Sequence, residues 1–424
     1  MTNHKQPARK HFRVNRKYPK ILRNRKARLA RRLAPKNWED QPQPLFGASN
    51  IQYEMGQKTQ AHSYGGLGAV HLMVRRLGLG KEIDAHLQLL KVHLPYHESD
   101  HVLNIAYNVL LGGVRVEDME LRRQDESFLD GLGAQRSPDP TTAGDFTRRF
   151  SEADILELQE CINRTRQQVW QQQPAGFLAE AFLDVDGTIA GTWGECKGGI
   201  GLSYKGIWGY GPLVISLANT KEVLYLVNRP GNHTSHQDSV AWIDRAIELV
   251  KRVADQITLR GDTDFSNTGQ LDRWDEQGTK FILGLDAHPK VVALAEALSL
   301  RAWQPLERLP QYEVLTEPRR QPERVKEQMV VQKGYLNKKL VAEEVTDVAY
   351  QPHQCAKKYR LVILRKNISV QKGERVLFEE IKYFFYLSNR WDLSVPEIIG
   401  LANGRCDQEN VIEQLKNGVN AMRM

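Results

Sequence analysis

The stretch FLAEAFLDVDGTIAG, residues 177–191, decides how the rest of the chain is read. An apolar, strand-like run ends in two aspartates, Asp184 and Asp186, followed by Gly187 and Thr188. Such an ending can hold a metal ion, attack a phosphate, or simply make a turn, since Asp is common in turns. Asp184 and Asp186 are two apart and so share one face of the strand. A second run, QITLRGD (256–262), ends the same way, with Ile257 and Leu259 apolar and Asp262 at the terminus. Two strand-end carboxylates and a third from a helix can bridge two divalent cations roughly 4 Å apart, which clamp the attacking and leaving oxygens of a phosphodiester.

The third carboxylate is supplied by GRCDQENVIEQLKNG, residues 404–418. Arg405, Glu409 and Lys416 stand at i, i+4 and i+11, with Ile412 at i+7, and share one face of a continuous helix. A carboxylate flanked by cations suits a metal ligand, Glu409, beside phosphate contacts, Arg405 and Lys416. The same spacing also occurs on ordinary solvated Glu/Lys helices. His233 and His236 stand three apart, but with no cysteine or third histidine nearby they are read as part of a loop and helix cap. His288, before Pro289, is read as structural.

Composition narrows the class. The 424 residues are 41% apolar and 26% charged, as in a globular protein of two or three domains. The longest uncharged run in the middle of the chain, Gly206 to Thr220, is shorter than the about 20 residues of a membrane span. No apolar segment near the N-terminus suggests a signal peptide. Cys161, Cys196, Cys355 and Cys406 are far apart, which excludes a zinc knuckle or a disulfide framework and suits a reducing cytoplasm. Net charge is +8, yet residues 1–38 hold 14 of the 59 Lys and Arg and no Asp or Glu. The rest is acidic, 45 basic residues against 51. The basicity is thus a local arm with too little apolar content to fold alone. Arg23, Arg25, Lys26, Arg28, Arg31 and Arg32 are its candidates for phosphate contact by counterion release.

Five segments follow. Residues 1–60 read as basic arm and linker. Residues 61–175 show helical periodicity, with a short Thr-capped helix after RSPDP and another from Ser151 and Asp154 through Trp170. They are read as a helical DNA-binding region, helix-turn-helix-like, with an all-helical packing domain as the plainer alternative. Residues 176–290 alternate strands (178–185, PLVISLA, VLYLVNR, QITLRG, KFILGL) with helices at 235–253 and 268–277. Residues 291–390 are read as a β-rich insertion, with strands at YEVLTE, KKLVAEEVTDVAY, YRLVILRKN and VLFEEIKYFFYLSNR. Helices return over 391–424, where Ser394 and Glu397 form a capping box around Pro396.

Together LDVDGT, NRPGNHTSHQDS, LRGDTDFS, YFFYLSNRWDLS and NGRCDQENVIEQLKNG resemble the DDE transposases of bacterial insertion sequences. The branch most similar is that with a Y-R-E-K signature and a β-rich insertion before the last carboxylate, the IS thirteen-eighty group. The resemblance runs from about residue 60 to the end. It implies an α/β ribonuclease-H-like core, with Asp186, Asp262 and Glu409 as the metal-binding catalytic triad for two Mg²⁺ or Mn²⁺ ions. It implies Arg405 and Lys416 as the signature's Arg and Lys; the signature Tyr is Ala402 here. It implies double-stranded DNA as partner, both terminal inverted repeats and target, with a homodimer on DNA in the bacterial cytoplasm, associated with the nucleoid. The reaction implied is cut-and-paste transposition.

Two alternatives stand beside it. LDVDGT also resembles the haloacid-dehalogenase phosphatase signature, in which Asp184 would be the nucleophile and Asp186 its acid-base partner. The chain also stops fifteen residues after Glu409, where such relatives carry further helices, so an inactive DNA-binding remnant is the other.

Overall fold

The computed structural model describes residues 17–34, 39–47, 64, 66–194, 196–308 and 325–422. Two compact units divide the chain, Met1–Cys161 and Ile162–Met424.

The first unit is helical: α1 Lys17–Leu33, α2 Leu67–Leu77, α3 Leu79–His86, α4 Glu98–Leu110, α5 Met119–Arg123, α6 Glu126–Leu132, α7 Pro140–Thr147 and the first half of α8 Glu152–Trp170. Its core gathers Leu67, Leu103, Tyr107, Phe128, Leu129 and Leu132 around Phe46. Phe46 belongs to the expected linker, yet that segment is tied down: the Leu45 and Phe46 amides donate to the buried Asp100 carboxylate, each at 2.9 Å. The cap of α7 is Asp139, not the expected Thr. Its carboxylate accepts from the Thr142 amide and hydroxyl, and Pro140 takes the first helical position, where a missing N–H costs nothing. The box of Ser151 and Asp154 opens α8 as expected.

The second unit is built on β1 Glu180–Gly187, β2 Ala190–Gly191, β3 Gly201–Leu202, β4 Trp208–Tyr210, β5 Leu213–Leu217, β6 Glu222–Val227, α9 Ser239–Val250, β7 Gln256–Gly261, α10 Leu271–Glu276, β8 Lys280–Leu285, α11 Pro289–Glu296, β9 Gln304–Pro305, α12 Val325–Gln332, β10 Leu336–Tyr350, β11 Tyr359–Lys372, β12 Arg375–Ser388, α13 Val395–Gly404 and α14 Cys406–Glu413. A nine-stranded sheet runs β6-β5-β1-β7-β8-β12-β11-β10-β9. The β1–β7 and β7–β8 pairs are parallel and the remaining pairs antiparallel. A separate three-stranded sheet, β2-β4-β3, lies in the excursion between β1 and β5.

The β-rich segment differs from expectation in two respects. It is not a sheet of its own, because β12 pairs with β8 from Phe385↔Leu285 to Ser388↔Ile282. Pairing there covers the unpaired amides that β8 would otherwise expose as an edge. Helices α11 and α12 also fall inside it. YEVLTE lies outside the described residues. Covering the sheet, α13 sets Ile398 and Ile399 against Ile282, Val345, Val362 and Leu364. The Ser394–Glu397 box starts this helix as the sequence indicates. Among the described residues no helix is long and apolar enough to cross a membrane. All four cysteines are free.

Candidate active site

β1 and β7 run parallel with Asp184 opposite Arg260 and Val185 opposite Gly261. One step further the same register sets Asp186 opposite Asp262, which follows β7 in extended conformation. Side chains two apart share a face, so both aspartates stand on the face that carries the Asp184–Arg260 pair. Neighbouring strands are about 4.8 Å apart, which brings the two carboxylates together at the ends of their strands.

The helical carboxylate reaches the same place through α13 and α14. Arg260 donates from Nη1 to the Leu401 carbonyl (2.9 Å), and its guanidinium lies against Gly404, where a Cβ would stand 2.8 Å from that Nη1. Gln408, 1% exposed, donates to the Val214 carbonyl (3.1 Å) and accepts from the Ser216 hydroxyl. Val214 and Ser216 are the β5 partners of Asp186 and Asp184. These bonds dock α14 over the strand that carries Asp186 and set Glu409, the next residue, beside it.

The expected single helix through Arg405, Glu409 and Lys416 is broken twice. Arg405 is the joint between α13 and α14, and residues Gln414–Gly418 form a π turn. Spacing by 3.6 therefore does not hold across the segment. The three side chains nevertheless surround one group. Arg405 donates from Nη1 to Asp186 Oδ2 at 3.1 Å, and the charges of Glu409 and Lys416 both act on Asp186.

Electrostatics show a cluster short of positive charge. The Asp186 carboxyl is pushed from its ordinary value up to about 6, first by burial, then by repulsion from Asp262 and Glu409, with Arg405 opposing. The Asp262 carboxyl is also raised, by burial first and by Asp264 and Asp286, again against Arg405. One guanidinium serves several carboxylates, the charge set that divalent cations complete. Among the described residues the oxygens of Asp186, Asp262 and Glu409 do not all lie within 4.8 Å of one another. The donor set, hard carboxylate oxygens without sulfur or imidazole, fits Mg²⁺ or Mn²⁺.

Asp184 is excluded as a nucleophile. It is 1% exposed, and Arg260 donates to both its oxygens, Nε to Oδ1 at 2.7 Å and Nη2 to Oδ2 at 2.8 Å. Buried and paired in this way, neither oxygen is presented to a phosphate. Its position two residues before Asp186 is structural, a buried counter-charge for the arginine that holds α13.

Three contributors escaped the sequence reading. Arg260 left a signal, since a cation inside an apolar strand must find a buried partner. Asp286, just past β8, is a third strand-end aspartate, and its charge acts on Asp262. Gln408 left none, because a glutamine among Glu, Asn and Lys looks solvated. The histidines behave as expected in part. His236 offers its carbonyl to Ser239 at the start of α9, and His288 occupies the N-cap position of α11. His233 lies in a cleft with a buried, unpartnered Nδ1.

Gly284 gives a direct test of positioning. A Cβ there would stand 2.8 Å from the Thr263 amide nitrogen and 3.0 Å from the Asp262 carbonyl carbon. Gly284→Ala must push the turn that carries Asp262. A displacement of this kind costs on the order of a hundredfold in turnover, against only about 1–3 kcal/mol of stability from overpacking. Cleavage rate and thermal unfolding, measured together, check that split.

In the first unit, the arm residues lie on α1. Arg28 and Arg32 hold Asp130, at 2.6 and 2.7 Å, and Arg136 donates to the Arg32 and Ala34 carbonyls. Those contacts tie the C-terminal end of α1 to the rest of the first unit. Arg23, Arg25, Lys26 and Arg31 are exposed.

A family model described as "Transposase DDE domain group 1" matches residues 48–424. No curated protein matches. Among solved structures, the chain is similar to the piggyBac transposase in a cryo-EM synaptic complex with hairpin DNA. Identity is 12% and the TM-score 0.36, over 80% of this chain and 63% of that one, so the chain spans less than two-thirds of that structure's length. With nearly all of its length matched by the family model, the protein belongs to the group 1 family of DDE transposase domains.

Proposed function

We propose that the chain is the transposase of a bacterial insertion sequence of the Y-R-E-K branch, in the IS thirteen-eighty group. It would hydrolyse the phosphodiester at the element's ends and transfer the freed 3′ hydroxyl to target DNA. The observation that carries this reading is the parallel β1–β7 pair that ends beside Asp186 and Asp262, with the charges of Asp262 and of Glu409 on α14 both acting on Asp186. The strand order β6-β5-β1-β7-β8, with β5 antiparallel to β1 and β7 parallel to it, supports a ribonuclease-H-like core. The five-part organisation of arm, helical DNA-binding region, split core and β-rich insertion is part of the proposal, as are cytoplasmic action on the nucleoid and a homodimer holding paired ends.

Asp186, Asp262 and Glu409 would hold two Mg²⁺ or Mn²⁺ ions, which supply charge neutralisation at the phosphate and activation of the attacking oxygen. The chain's own work is positioning. Gln408 and Arg260 fix α14 against β1 and β5. Arg405, which donates to Asp186, would be the guanidinium beside the ions available to a phosphate oxygen. Lys416 now donates to the Ile189 carbonyl at 2.9 Å and lies at the edge of the same site, where it meets the strand.

The test uses the full chain and a supercoiled plasmid carrying the DNA from either side of its gene. Nicking at the repeat ends that needs Mg²⁺ or Mn²⁺ and is lost in Glu409→Gln is the expected result. Salt-sensitive binding without nicking would instead mark an inactive remnant. The arm adds an independent prediction. Replacing Arg23, Arg25, Lys26 and Arg31 with Gln is expected to lower the slope of log affinity against log salt by about 3 to 4, one increment for each phosphate no longer neutralised. Anisotropy titrations of labelled duplex at several salt concentrations read it.

A further inference from the structure

Strand β12 runs well past one of its two neighbours. β11 pairs it from Arg375 to Ser388, but β8, on its other side, reaches only Phe385 to Ser388. Among the described residues no strand pairs that side of Arg375–Phe384. An open strand edge offers its N–H and C=O groups to another chain. The end of the sheet at β6 is closed by contrast: the Val223 and Leu224 carbonyls accept from Arg166 (2.8 Å) and Asn163 (3.4 Å) of α8. Charged side chains alone would keep an open edge solvated, yet on β12 Phe378 is 57% exposed, Ile381 53% and Phe384 41%. Large apolar side chains along an open edge suit it to pairing rather than to water.

Both ends of the open stretch are set by the fold. At one end Phe385 is already taken by Leu285 of β8. At the other, Leu377 is the extra residue of a bulge, since Val370 faces Phe378 while Gln371 faces Val376. A bulge bends its strand and ends regular pairing there. Phe378–Phe384 is the regular edge that remains, and Ile381 is its midpoint. Two copies laid antiparallel about a two-fold axis at Ile381 use all of it. That register sets Phe378 of one copy opposite Phe384 of the other, Glu380 opposite Lys382, Glu379 opposite Tyr383, and Ile381 opposite itself. Within one copy Glu380 holds Lys338 (2.9 Å) and Lys382 (3.4 Å), so pairing joins these charges into one network of alternating sign. Moving the axis one residue either way sets Glu380 against Glu380 or Lys382 against Lys382, and like charges directly opposite are destabilising.

We propose that the open edge of β12 is the surface on which two copies of the chain pair, by antiparallel addition of Phe378–Phe384 to the same segment of the second copy. Backbone hydrogen bonds across the axis supply the affinity, and the aromatic and charge pairs set the register. This rests on the proposed function for the use of a dimer and gives that dimer its surface.

The test uses the full chain without DNA. Sedimentation equilibrium is expected to show a dimer, which Ile381→Glu weakens by on the order of a hundredfold because it sets two carboxylates on the axis, with circular dichroism unchanged. Glu380→Lys is expected to weaken it by on the order of tenfold, since the change acts twice across the axis, and adding Lys382→Glu recovers most of the loss. Opposed residues of an antiparallel pair have Cα atoms about 4.5–5.5 Å apart, within the reach of a disulfide. Under mild oxidation Ile381→Cys is expected to give a disulfide joining position 381 of two copies, mapped by peptide mass spectrometry, while Lys339→Cys, exposed on β10, gives none. A monomeric wild type, or a dimer that Ile381→Glu does not weaken and Ile381→Cys does not cross-link, overturns the surface and leaves the transposase reading intact. A dimer cross-linked at position 381 in a chain that nicks no DNA keeps the surface and overturns the proposed function instead.

Discussion

Asp186→Asn is expected to abolish metal-dependent cleavage, by on the order of a thousandfold or more, and at the same time to make the metal-free protein more stable. The first effect follows from losing a carboxylate that would hold the ions, with several kcal/mol of charge stabilisation. The second follows from the electrostatics. In the unfolded chain this carboxyl ionises at its ordinary 3.8, but in the folded chain only at about 6. Protonation therefore favours folding. Asp186 contributes stability in full below about pH 4, loses it as pH rises through the folded value, and above about 6 its ionisation costs on the order of 3 kcal/mol. An uncharged Asn avoids much of that cost, so the unfolding temperature at pH 7.5 should rise by a few degrees. Mg²⁺ or Mn²⁺ should raise it in the wild type, should do so less below about pH 5.5, and should not do so in the variant. Unfolding scans across pH, with and without Mn²⁺, read all three. A variant less stable than the wild type at pH 7.5 would mean that the carboxylates are not held against mutual repulsion.

The second large effect concerns Arg260. Arg260→Ala is expected to cost about 3–5 kcal/mol, the range for leaving one partner of a buried ion pair without its counter-charge. Asp184, 1% exposed in the wild type, would lose the donors to both its oxygens. The bond to Leu401 goes as well, which loosens α13 and with it the helix of Glu409. Asp184→Leu combined with Arg260→Met is expected to recover most of the stability, because an apolar pair of similar volume needs no counter-charge. Urea unfolding of the two variants beside the wild type measures this. A loss below about 1 kcal/mol in Arg260→Ala, typical of exposed ion pairs, would contradict the buried geometry.

Much of the fold was legible because its signals are local. The runs ending at Asp186 and Asp262, the strand KFILGL, and the Ser394–Glu397 cap all rest on near neighbours in the chain. The pairing of Asp186 with Asp262 was legible for a different reason: both end apolar strands, and a parallel pair lines such ends up. Non-local choices were not legible. Nothing in KFILGL or FFYLS says that β8 and β12 join, which turns an expected insertion into part of the same sheet. The β2-β4-β3 sheet was hidden because its strands are two or three residues long and glycine-rich, below the reach of periodicity. The joint at Arg405 was hidden too, since the cause of the close approach at Gly404 is a guanidinium 144 residues earlier. Asp184 and Asp186 look equivalent in sequence; their neighbours separate them, Arg260 across β7 for one and the charge of Asp262, just past β7, for the other.

Asp186, Asp262 and Glu409 are proposed to act together as a divalent-cation site. Mn²⁺ binding by the full chain at pH 7.5, followed by electron paramagnetic resonance, tests it without requiring DNA or turnover. Saturable binding is expected in the wild type and is expected to be largely lost in each of Asp186→Asn, Asp262→Asn and Glu409→Gln. Three variants that bind Mn²⁺ as the wild type does would contradict it.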